Sequence, residues 1–128
     1  MKTPSTARVD VRKNRIYLTM IGFHDVAEAT RVGELYLAAM KQCTPGFSVL
    51  VDVAAYKPGA PAIEPIHARV ARAAREAGVG RVARVVGDSP LGGMQIDRIV
   101  RSENHYAARH FPTVAEAEAY LDDDEVGR

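Results

Sequence analysis

The chain has no tryptophan, one cysteine and only 6% aromatic residues. A lone Cys43 cannot close an internal disulfide, which excludes a disulfide scaffold and suits a reducing compartment. No apolar run approaches membrane-spanning length, and the N-terminus MKTPSTARVDVRKNR lacks the apolar core of a secretion signal. A cytoplasmic, bacterial-type protein without a transmembrane segment is therefore expected. Charge of one sign is missing too: 17 Lys+Arg against 16 Asp+Glu leave a net +1. So small an excess supplies no field for nucleic acid or an anionic membrane. Internal repeats, low-complexity tracts and interdomain linkers are likewise absent from the sequence.

What remains is ordinary globular material. The 128 residues, 47% hydrophobic and 26% charged, suit a single domain over 1–128 with one core. Residues 1–6 read as a loose tail and 122–128 as an acidic one. Arg69, Arg72, Arg75, Arg81 and Arg84 cluster mid-chain and read as a solvated face.

The central signal is strand, crossover helix, parallel strand. FSVLVDV (47–53) and RVARVVGD (81–88) are short β-branched runs. Between them PAIEPIHARVARAAREAG (61–78) places Ile63, Ile66, Val70, Ala73 or Ala74, and Ala77 at helical spacing. A connection of that length joins parallel neighbours, since a tight turn joins only antiparallel ones. Residues 54–60 read as the crossover loop. Upstream, Val9 and Val11, a turn at Lys13-Asn14, then Ile16, Leu18 and Met20 read as a hairpin. Asp25 with Glu28 opens a helix at capping-box spacing, with Val26, Ala29, Gly33, Tyr36 or Leu37, and Met40 on its apolar face. Ser89-Pro90 opens a third helix weakened by Gly92-Gly93. Residues 105–111 read as a short last strand, and Thr113 with Glu116 caps a final helix to about Leu121. The order β-β-α-β-α-β-α-β-α predicts an α/β fold with one mixed sheet and helices packed on it.

No catalytic motif survives inspection. Gly87-Asp88-Ser89-Pro90-Leu91 resembles half of a nucleophile elbow, but Pro90 lacks the N–H that the oxyanion hole requires. Gly87–Gly93 has partial phosphate-loop spacing, but Met94-Gln95 stands where Lys-Ser/Thr is needed. His24, His67, His105 and His110 have no spacing that completes a metal site and read as surface or capping residues. No cofactor is called for. Asp52, inside an apolar strand, either pairs with a basic neighbour or points into the crevice at the strand ends, where open α/β sheets bind ligands. The binding rim is therefore assigned to Asp52, Tyr56, Lys57, Pro58 and Gly59 on one side. Gly87, Asp88, Ser89, Gly92 and Met94 form the other.

In order and spacing, NRIYLTMIGFHD, PGFSVLVDVAAYKP, REAGVGRVARVVGD and AEAEAYL resemble the SpoIIAA-like (STAS-type) family over about residues 14–121. That family shares its fold with anti-sigma-factor antagonists and the CRAL-TRIO lipid-binding module. The resemblance implies a four- or five-stranded mixed sheet with helices mainly on one face, used for binding and not for catalysis. In the antagonist branch a phosphorylatable Ser or Thr follows the central strand; here that segment is KPGAPAIEP (57–65), without a hydroxyl. The expectation is a non-enzymatic binding or regulatory module with a protein partner, the alternative being a carrier or sensor of a small lipid or anion. A second copy of the chain is a further candidate partner, since a homodimer would cover a short edge strand.

Overall fold

The structure is a computed structural model and describes residues 5–57, 61–87 and 108–123. Five strands form one mixed sheet in sequence order: β1 (Thr6–Asp10), β2 (Arg15–Phe23), β3 (Ser48–Lys57), β4 (Val82–Val85) and β5 (Arg109–Phe111). β1 runs antiparallel to β2, and every later pair is parallel. The helices are α1 (Val26–Met40), α2 (Glu64–Glu76, entered through a 3-10 turn at Pro61–Ile63) and α3 (Val114–Asp122). The third helix expected from Ser89-Pro90 lies outside the described residues. Among the described residues no helix is long and apolar enough to cross a membrane.

Local chemistry explains these elements. The hairpin turns through Val11–Asn14, where Asn14 adopts φ +53° and its N–H donates to the Val11 carbonyl at 3.3 Å. Asn tolerates this left-handed backbone better than most residues. The Asn14 side chain also donates to the Thr44 carbonyl and accepts from the Thr44 N–H, both at 3.0 Å. The turn is thereby tied to the loop that feeds β3. Asp25 Oδ1 accepts the Glu28 N–H at 2.8 Å, and Thr113 Oγ1 accepts the Glu116 N–H at 3.2 Å. Both expected caps are present.

The alternation of β2 and β3 divides the core. Ile16, Leu18, Met20, Val49, Val51, Val53 and Val82 join Val32, Tyr36, Val70 and Ala71 beneath α1 and α2. Leu50, Ala83 and Val85 join Ala117 and Leu121 under α3 instead. Thus α1 and α2 cover one face and α3 the other. Residues 49–51 are consequently buried on both sides, which is why they form a continuous apolar run.

Several expectations need correcting. β3 does not end at Val53: it continues to Lys57, with Ala55, Tyr56 and Lys57 pairing with Ile21, Gly22 and Phe23. One extra residue is accommodated between the Thr19–Asp52 and Ile21–Ala55 pairs, forming a bulge. Alanine has weak strand preference, so AAYK before a proline reads as a loop. The buried face of α1 is Ala29, Val32, Gly33, Tyr36, Ala39 and Met40; Val26, in its first turn, is exposed. Ser5 and Thr6 are no tail, since Ser5 is buried and Thr6 begins β1. Arg84 does not belong to the solvated arginine face, for it is buried to 1% exposure on β4. Arg69, Arg72 and Arg75 are exposed as expected.

Because one hydrogen bond closes the start of α1, Asp25→Ala should cost about 1 kcal/mol in urea denaturation, with Asp25→Asn nearly neutral. Equal losses for both variants would show that the cap does not hold the helix.

Candidate functional site

The parallel strands end at the edge that the sequence marks as a binding rim. Its described members do not converge. Asp52 Oδ1 accepts the Ala54 N–H at 3.0 Å. One carboxylate oxygen therefore staples the β3 bulge. By strand alternation Asp52 lies with Leu50 on the α3 side, whereas Tyr56 is 2% exposed and packs in the core under α1 and α2. Lys57 is exposed beside Phe23, its partner in register. Gly87 has φ +57°, and a Cβ there would stand 2.9 Å from the Ala54 Cβ. Close approach and backbone sign both require glycine. Pro58, Gly59, Asp88, Ser89, Gly92 and Met94 lie outside the described residues.

What the sequence reading missed is a set of polar side chains inside the α1–α2 face. His24 is 0% exposed, with Nε2 3.1 Å from Ser5 Oγ and its ring edge-to-face against Tyr56 at 4.9 Å. Ser5 Oγ also accepts the Ile21 N–H at 2.9 Å. His24 is therefore no surface histidine. It occupies the position just before the Asp25 cap, where a hydrophobic residue commonly packs to set the helix entry angle. His67 lies on α2 with Nε2 buried and, among the described residues, unpartnered. Arg84 pairs in register with Val51.

His67, Tyr36 and Arg84 line a cavity of about 50 Å³ between the sheet and the two helices. Leu18, Met20 and Val51 supply its sheet side, and Val32, Val70 and Ala71 its helix side. Gly33 sits here because a Cβ would come within 3.2 Å of Val70 Cγ2. Two signals could have found this set. His67 stands three and four residues before Val70 and Ala71, within the apolar stripe. Arg84 shares strand parity with Val82. Polar residue type masked both.

Burial sets the charge states. It pushes the His67 imidazole down to about 4, and the nearby His24 ring pushes in the same direction. Burial also lowers His24. Both rings are thus neutral at pH 7, and charging one raises the cost of charging the other.

The opposite end of the sheet carries a second, wholly polar cluster. Arg15 Nε donates to Ser48 Oγ at 2.8 Å, and its Nη1 donates to Glu118 at 2.9 Å and Asp122 at 2.8 Å. The Tyr17 hydroxyl donates to Glu118 in a short hydrogen bond. Arg81 Nη1 donates to the carbonyls of Tyr120 at 3.0 Å and Asp123 at 2.5 Å, at the end of α3. A cation there complements both the orphan carbonyls and the helix dipole. Asp122 accordingly belongs to an ordered helix end and not to an acidic tail. The bond from Arg15 holds its carboxyl below the usual carboxylate range. A cleft of about 270 Å³ lies among these residues, but its charges are already spent on one another.

No family model and no curated protein matches the chain.

The neutral histidines make stability depend on pH. Above pH 6.5 His67 is uncharged in both folded and unfolded chains and contributes no slope. As pH falls from 6.5 toward 4, the unfolded chain takes up the proton first, so folding weakens. The full span from 6.5 to about 4 corresponds to on the order of 3 kcal/mol, or about 2 after allowing for the ring's partial exposure. His67→Leu should flatten this slope in urea denaturation across that window; an unchanged slope would place the imidazole in solvent.

Proposed function

We propose that this chain is a non-enzymatic binding and regulatory module of STAS-like type. It docks a protein partner on the rim where β2 and β3 end. The carrying observation is an exposed apolar pair there: Phe23 is 59% and Val26 49% exposed, beside the charged Lys57. Burying a side chain of this kind yields about 1.5–3 kcal/mol, enough for two such residues to anchor a modest interface. Exposed Ala54 and Ala55 extend the surface without bulk. The family resemblance favours the same place, because its partner surface follows the central strand.

The absence of a hydroxyl in residues 57–65 gives the reading a regulatory consequence. Binding is not gated by phosphorylation of that segment, so control falls to partner abundance or to a ligand. The same reading puts the protein in the cytoplasm, where Cys43 would stay reduced. His24 and Arg84 are folded into the core, and Arg15, Glu118 and Asp122 are paired with one another.

Site-specific photo-crosslinking tests the rim. A photoreactive residue at position 23 should give one dominant adduct in cells, lost when Val26→Asp or Lys57→Glu is added. The same probe at Val11, which is 70% exposed at the other end of the hairpin, should give none. An adduct at twice the chain mass would make the partner a second copy. Equal labelling at both positions, or none at position 23, would remove the rim as a docking surface.

A further inference from the structure

We propose that β1 pairs edge to edge with β1 of a second copy of the chain, antiparallel about Val9, so that Arg8 of each copy stands opposite the partner's Asp10. The inference rests on nothing assigned to the rim. β1 pairs with β2 only as far as Thr19, and Phe23 lies past the end of that pairing.

The ladder shows which backbone groups are available. The Ser48 N–H donates to the Asn14 carbonyl at 3.0 Å, and the Ile21 N–H donates to Ser5 Oγ at 2.9 Å. Even-numbered residues of β2 therefore turn their backbone groups toward β3, and odd-numbered ones toward β1. Arg15 and Tyr17 meet Asp10 and Arg8 across the antiparallel pair, so those two residues of β1 use their backbone groups within the sheet. The N–H and C=O groups of Ala7 and Val9 point the other way. β1 is the first strand of the sheet, and no described strand lies on its outer side. Thr6 and Arg8 are exposed there. Such an edge is a ready template for another strand.

Charge decides the occupant and the register. Arg8 and Asp10 are two apart, hence on one face of β1. Among the described residues neither enters an ion pair: Arg8 stacks at 3.9 Å on Tyr17, and Asp10 accepts the Lys13 N–H at 3.2 Å. Two antiparallel copies join only with outward backbone groups facing outward backbone groups. Centred on Val9, that register makes Val9 and the partner's Val9 a hydrogen-bonded pair. Arg8 then meets the partner's Asp10 twice, in the adjoining non-hydrogen-bonded pairs. Facing side chains are closest in pairs of that kind, and opposite charges there are favourable. The next registers on either side set Arg8 against the partner's Arg8, or Asp10 against the partner's Asp10, and like charges disfavour both. The pattern is thus self-complementary about a two-fold axis. Ala7 and Val9, partly buried against the α1–α2 core, would continue that apolar layer across the axis. So short a ladder makes a small contact, and half-association is expected at roughly 0.1–1 mM. At micromolar chain concentration the dimer is not populated, and a crosslinker at Val11 stays silent in cells.

The test is sedimentation equilibrium of the full chain up to about 2 mM, well above that range, with amide NMR on the same samples. The wild-type chain should pass from monomer to dimer and no further, with saturable shifts at the Ala7 and Val9 amides. Arg8→Asp and Asp10→Lys should each weaken the dimer at least tenfold, because each sets like charges opposite one another twice. An equal mixture of the two should form a heterodimer at least as tight as the wild-type dimer. The double variant, which exchanges the two charges, should associate as the wild type does. The folded spectrum of each variant separates lost pairing from lost structure. A wild-type chain still monomeric at the highest concentration would overturn the proposal. So would single variants that associate as the wild type does, or a folded double variant that stays monomeric.

Discussion

The fold depends on the one-strand step with which each parallel strand is added. β2, β3 and β4 lie side by side in chain order, so each crossover advances in the same direction. Right-handed connections that advance one way place their helices on one face, and α1 and α2 accordingly share the face of Val49 and Val51. Among the described residues, Leu50, Ala83 and Val85 on the opposite face are covered by α3.

α3 is short for that task, with nine residues and two fully buried apolar side chains, Ala117 and Leu121. Its seat is reinforced electrostatically from the sheet: Arg15, buried at the start of β2, reaches Glu118 and Asp122, and Arg81 caps its final carbonyls. Removing one partner of a buried, hydrogen-bonded charge costs more than the pair contributes net, so these contacts specify position more than they add stability. The two ends of the sheet therefore differ in kind. One is closed by charges that satisfy each other. The other carries exposed Phe23 and Val26 outside, with neutral histidines and a cavity beneath.

Much of this was legible in the sequence because local rules decided it. The Lys13-Asn14 turn, the Asp25 and Thr113 caps, and the parallel pair joined by an arginine-bearing helix all follow from residue type and spacing. The misreadings occur where tertiary packing overrides type. Ala54 and Ala55 carry no strand signal, yet β3 continues because β2 offers Ile21–Phe23 as a partner. Val26 fits the apolar period of α1 but sits in its first turn, so the buried stripe is set by Val32 and Ala39. His24, His67 and Arg84 read as outward-facing because their side chains are polar, although His67 and Arg84 occupy apolar positions in α2 and β4, and His24 the hydrophobic position before the Asp25 cap. Asp52, a carboxylate in a strand, invites a functional reading, and one of its oxygens is engaged by the bulge that follows it.

The division of the sheet into two unlike faces is most directly tested at two adjacent residues of β3. In a methyl NOE experiment on labelled protein, Val51 should show contacts to Val32 and Val70, and Leu50 to Ala117 and Leu121, with no exchange between the two sets. Contacts from both residues to the same helices, or backbone NOEs pairing β3 and β4 in opposite directions, would contradict the account.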